Sequence, residues 1–191
     1  PLVKIGRTYG AHADFVEPRY HHPRFQSAFK ELNELLTREF DNNPLMEFID
    51  LMMYGFWGEG HTSNLPNPFP DYLTAAQTFL NMTKLQLDLW KNVSLAVNTQ
   101  PDISNVGNRE VQDMCVRAGC WLRSDSIVIE EPIQIEELAN RPPWLATIME
   151  DGYYRQYKID PTYLPIDESG INVLEKWMLH SIDLGANYWS L

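Results

Sequence analysis

Two glutamates carry the chemistry that this sequence points to. Glu59 lies near the end of the stretch Phe48 to His61, FIDLMMYGFWGEGH, in which a nearly uninterrupted apolar run passes through Gly55, two aromatics and Gly58 before Glu59 and His61. Glu150 ends a second apolar run, WLATIME, and is followed by Asp151, Gly152, Tyr153 and Tyr154. Two carboxyl groups facing one opening are what sugar hydrolysis needs: one acid protonates the leaving oxygen, and one carboxylate attacks or activates water. A glutamate held between Tyr54, Phe56 and Trp57 would lose hydration, which favours the protonated form required of a general acid. The bland alternative for Glu59 is an ordinary loop carboxylate in water.

Further polar residues fall at the ends of other apolar runs. Arg123 and Asp125 follow CWL, Asn98 ends VSLAV, and Arg7 ends LVKIG, with Tyr9 just beyond. Arg123 is placed to keep one carboxylate ionised, or to form a structural ion pair with Asp125 at the rim. Asn98 and Gln100 offer amides for sugar hydroxyls or for capping. Trp57 and Tyr153 stand beside the two glutamates as candidate stacking platforms for sugar faces, with packing inside the wall as the alternative. Arg7, Tyr9, Trp57, His61, Asn98, Arg123, Asp125 and Tyr153 thus form the expected substrate-binding set. His12 and Asp14 make a metal-like pair, yet nothing completes a coordination set around them or around His21, His22 and His61, so no metal or other cofactor is expected.

The elements that must position these residues alternate along the chain. Leu2 to Arg7 reads as a strand, Thr8 to Pro23 as a long loop broken by Gly10, Pro18 and Pro23, and Phe25 to Phe40 as an amphipathic helix with apolar positions at 25, 28 or 29, 32, 35 or 36, and 40. The run ending at Glu59 reads as a strand buried on both faces, with the acid at its carboxyl end. Asp71 is a plausible N-cap for a helix to Trp90. Val93 to Asn98, Cys120 to Asp125, Trp144 to Glu150 and Ala186 to Leu191 read as strands; Asn108 to Ala118, Ile133 to Ala139 and Ile171 to Leu184 read as helices, two of them stopped by Gly119 and Gly185. Six strands joined by helical crossovers predict an α/β fold with a parallel sheet, whose chemistry collects at the strands' carboxyl ends. A closed eight-stranded barrel typically takes about 250 residues, so residues 1–191 are expected to form a single, partial (β/α)8 barrel holding about its third to eighth strands. The rest of a longer polypeptide would supply the missing strands and any export signal.

Composition narrows the classes. The formal charge is -11, from 26 acids against 15 bases, which argues against a nucleic-acid partner. No run is long and apolar enough for a membrane span, so no membrane partner is expected. Cys115 and Cys120 read as buried apolar residues rather than a disulfide framework or a zinc site. Asn81 and Asn92 open glycosylation sequons, but Asn81 falls inside a predicted helix.

The run PRYHHPRFQSAFKELNELLTREFDNNPLMEFIDLMMYGFWGEGH resembles the middle of bacterial (β/α)8 barrels of the glycoside hydrolase clan A type, especially β-galactosidase-like and agarase-like enzymes and uncharacterised relatives. The likeness continues through LRSD, ATIMEDGYY and HSIDLGANYWSL. It implies a secreted enzyme of polysaccharide degradation, in which Glu59 is the acid/base after the fourth strand and Glu150 the nucleophile ending the seventh, with retention through a covalent glycosyl-enzyme. Many clan members carry Asn immediately before the acid/base, where this chain has Gly58. A barrel of the same fold that binds carbohydrate without cleaving it is the alternative.

Overall fold

A computed structural model of the chain describes residues 2–5, 15–55, 58–60, 69–99, 108–124, 132–150 and 173–190. Its centre is a sheet of five parallel strands, β3 (Phe48–Asp50), β4 (Ser94–Asn98), β5 (Trp121–Ser124), β6 (Thr147–Glu150) and β7 (Tyr188–Ser190), lying side by side in chain order. Before it come β1 (Leu2–Ile5), β2 (Phe15–Pro18) and α1 (Pro23–Phe40). Between successive strands of the sheet the chain passes through α2 (Tyr72–Leu89), α3 (Asn108–Arg117), α4 (Pro132–Asn140) and α5 (Val173–Asp183). Parallel neighbours require such crossovers, and one helix per crossover with no change of direction winds the sheet into a half-barrel.

The helices start and stop where local chemistry dictates. His22 caps α1 by accepting from the Arg24 N–H, and Pro23 sits in the first turn, where a missing N–H costs nothing. Asp71 accepts from both the backbone N–H and the hydroxyl of Thr74, at 2.7 and 3.1 Å, and so opens α2 as expected. Gly119 and Gly185 follow α3 and α5 with φ of +87° and +70°, the left-handed stop that a side chain would resist.

Residue pairing across the ladders divides the strands into two faces. Leu95, Val97, Leu122 and Met149 are buried and join Phe79, Met82, Val111, Cys115 and Leu138 in a single apolar core beneath the helices. Their alternates lie on the other face. The registers Asp50 with Ala96, Ala96 with Trp121, Asn98 with Arg123, Arg123 with Ile148, and Ile148 with Tyr188 put all of these on that second, concave face.

Several expectations are corrected. Leu2–Ile5 pairs antiparallel with Phe15–Pro18 as a separate two-stranded sheet, so among the described residues the parallel sheet has five strands, not six, and the expected long loop contains a strand. In α1 the buried stripe runs through Phe29 and Asn33, flanked by Phe25, Leu36 and Phe40, whereas Leu32 and Leu35 are exposed. Asn33 can occupy a core position because its amide donates to the Phe29 carbonyl one turn back, at 2.9 Å. The strand expected over Trp144 to Glu150 begins at Thr147 rather than Trp144, which stands largely exposed in a turn closed by the Leu145 N–H on the Pro142 carbonyl.

Candidate functional site

The concave face carries two layers, one above the other. On the lower layer the rings of Phe48, Trp121 and Tyr188 meet: Phe48 to Trp121 at 5.4 Å, Phe48 to Tyr188 at 5.9 Å, and Trp121 stacked on Tyr188 at 5.5 Å. The Tyr188 hydroxyl donates to the Glu47 carboxylate, a bond that pushes the phenol's pKa above its ordinary value. Two residues further along three of the strands, on the same face, the residues change from apolar to charged. Phe48 is followed by Asp50, Trp121 by Arg123, and Ile148 by Glu150.

These three side chains form one ion-paired group at the strands' carboxyl ends. Arg123 donates through Nη2 to Glu150 Oε2, and its Nη1 lies 3.5 Å from Asp50 Oδ2. The arginine side chain is 17% exposed, against 48% for Asp50 and 40% for Glu150, so the cation is shielded while both acids reach the opening. Beside it, Asn98 is buried at the end of β4, in register with Arg123. The next residue, Thr99, holds that register beyond the strand. Its N–H and its hydroxyl both donate to the Arg123 carbonyl, at 2.8 and 3.1 Å, which fixes the backbone from which the guanidinium projects.

Glu59 is positioned differently from the expectation. The strand ends at Asp50, and the ladder continues only through the Leu51 N–H on the Ala96 carbonyl. The chain then curls: the Met53 N–H donates to the Gly58 carbonyl at 2.9 Å and the Gly60 N–H to the Tyr54 carbonyl at 2.8 Å. Glu59 therefore sits, half-buried, in a compact turn beyond the strand rather than at its last position. Gly58 and Gly60 on either side have φ of +75° and +88°, and a Cβ on Gly60 would lie 3.0 Å from Met53 Sδ and 3.4 Å from the Phe79 ring. Only glycine closes this turn without strain.

Two devices anchor the turn. Tyr54 is fully buried, with its ring 4.9 Å from Phe69, 5.2 Å from Phe79 and 5.6 Å from Tyr20. Its ring thus packs in the aromatic core. Gln86 of α2 reaches up to Met52, accepting from its N–H and donating to its carbonyl, both at 2.8 Å. A buried amide side chain here replaces the strand partner that the Met52 backbone would otherwise lack.

Of the residues picked out in the sequence, the structure thus brings Arg123 and Glu150 into contact, with Asn98 in register beside Arg123 and Glu59 in the turn after β3. Arg7, Tyr9, Trp57, His61, Asp125 and Tyr153 lie outside the described residues. Asp50, Thr99 and Gln86 were not anticipated. Asp50 did leave a signal, a lone acid inside an apolar run, but it reads as an interruption until the concave face is known to be half open. Cys115 and Cys120 are both buried, and a hydrogen bond with Cys120, reinforced by burial, pushes the Cys115 thiol pKa well up, as suits an inert core residue. Among the described residues no group of three His, Cys, Asp or Glu could hold a metal ion, and no helix is long and apolar enough to cross a membrane. No family model, no curated protein and no solved structure matches the chain.

Proposed function

We propose that the chain is a partial (β/α)8 barrel that hydrolyses glycosidic bonds in a poly- or oligosaccharide, with Glu59 as general acid/base and Glu150 as nucleophile in a retaining mechanism. The observation that carries this reading is the Asp50–Arg123–Glu150 group. It stands at the carboxyl ends of parallel strands on a concave face, where α/β barrels hold their chemistry. The guanidinium of Arg123 pairs with Glu150, the carboxylate that would attack the anomeric carbon. Glu59, in a turn held by the Met53–Gly58 and Gly60–Tyr54 hydrogen bonds, would give its proton to the departing oxygen and then take one from water. Asn98 and the rings of the lower layer provide amide and aromatic contacts of the kind that bind sugar hydroxyls and sugar faces.

The test is a screen of polysaccharides with the full-length protein, followed by two variants. Glu150→Ala abolishes turnover on every substrate, whereas Glu59→Ala spares aryl glycosides whose leaving groups need no protonation in the first step. Proton NMR of the first-formed anomer reports retention. Wild-type rates in both variants on the natural polysaccharide would overturn the assignment, and a barrel that binds carbohydrate without cleaving it would take its place.

A further inference from the structure

Arg123 holds the Asp50 and Glu150 carboxylates through different nitrogens, Nη1 toward Asp50 and Nη2 toward Glu150. An arginine facing a single carboxylate favours the bidentate arrangement, with two parallel N–H bonds onto both oxygens. Here Glu150 is engaged through Oε2. The difference lies in Asp50, which stands on β3, on the far side of Arg123 from Glu150's strand in the order β3-β4-β5-β6. Asp50 draws the other end of the guanidinium away from Glu150. Resting on the glycosidase reading above, we infer that Asp50 is a positioning residue that keeps Arg123 from a bidentate grip on Glu150, so that Oε1 is left for attack on the sugar.

The arrangement explains why a shielded cation is shared by two more exposed acids. A guanidinium gripping Glu150 in bidentate fashion would cover both of its oxygens and block its use in attack. Drawn toward Asp50 as well, it pairs with Oε2 and leaves Oε1 outside that contact. Asp50 itself touches no reacting atom in this scheme; it acts through Arg123.

The test uses Asp50→Asn and Asp50→Glu in the full-length protein. Because Asp50 is half-exposed at the end of an edge strand, neither change disturbs the core. In Asp50→Asn the guanidinium turns onto both Glu150 oxygens, kcat on an aryl glycoside falls on the order of 10- to 100-fold, and KM is unchanged. Asp50→Glu, which keeps the charge, restores most of kcat. A crystal structure of Asp50→Asn in which Arg123 still meets Glu150 through one nitrogen overturns the inference, as does an unchanged kcat. Should the wild-type protein cleave no glycoside at all, the glycosidase reading falls by that result alone, while the guanidinium's orientation in Asp50→Asn still decides the role of Asp50.

Discussion

Phe48 and Tyr188 open the two edge strands of the five-stranded sheet, and their rings lie 5.9 Å apart. Four strand spacings of about 4.8 Å would put these edges roughly 19 Å apart in a flat sheet. Ring contact across that interval requires the sheet to curl, and the curl is what turns a row of strand ends into a cavity with a floor. Phe48→Ala, which removes the ring that touches both Trp121 and Tyr188, is expected to destabilise the protein by about 2–3 kcal/mol in urea titration. Tyr188→Phe keeps the ring and loses only the solvent-exposed bond to Glu47, so a much smaller change than for Phe48→Ala is expected. Equal losses in the two variants would show that the phenol's hydrogen bond, not ring packing, holds the floor.

Gln86 anchors Met52, where the chain leaves the strand and enters the turn that holds Glu59. Gln86→Leu removes partners from the Met52 N–H and carbonyl together, at a cost of about 3 kcal/mol. Loss of the fixed turn should also slow any glycosidase reaction more than the stability change alone accounts for. Measuring both unfolding and turnover separates these effects, and a variant as stable as wild type would show that the turn holds itself.

Asp41, just after α1, ties that helix to the segment entering β4. Its carboxylate accepts from the backbone N–H groups of Lys91, Asn92 and Val93 at 3.0 to 3.1 Å, and from the Asn92 side chain at 3.2 Å. Burial by itself would raise its pKa, but the bonds from Val93, Asn92 and Lys91 outweigh that and leave it below the ordinary carboxylate value. The folded pKa is thus the lower one, so the stabilisation is complete above the unfolded value, near pH 4, and fades as pH falls toward the folded value. Asp41→Asn should destabilise the protein at pH 7 by about 2–3 kcal/mol and flatten the loss of stability below pH 4 in thermal melts. A variant that melts like wild type at pH 7 would remove Asp41 from the list of clamps.

Much of the architecture was legible in the chain. The run from Val93 to Asn98 carries Val93, Leu95 and Val97 on one face, as a strand covered by helices on that side does, and the Asp71 cap, Gly119 and Gly185 mark helix ends by local chemistry alone. The first strand was legible as a strand but not as to its partner. LVKI reads as a strand by its apolar, β-branched residues, and its mate, FVEP, is too short to stand out before Pro18.

The sequence by itself determined the alternation of strands and helices, the parallel sheet, and the presence of acids and an arginine near the strand ends, because periodicity, caps and glycine stops act over a few residues. Tertiary structure alone decided which of those polar residues meet. Asp50 and Glu150 are separated by a hundred residues of chain and share one guanidinium only because the crossovers bring β3, β5 and β6 into one sheet in this order and register, which no local pattern encodes. The same holds for Glu59, whose place is set by a turn that Gln86 and the aromatic core hold from the outside.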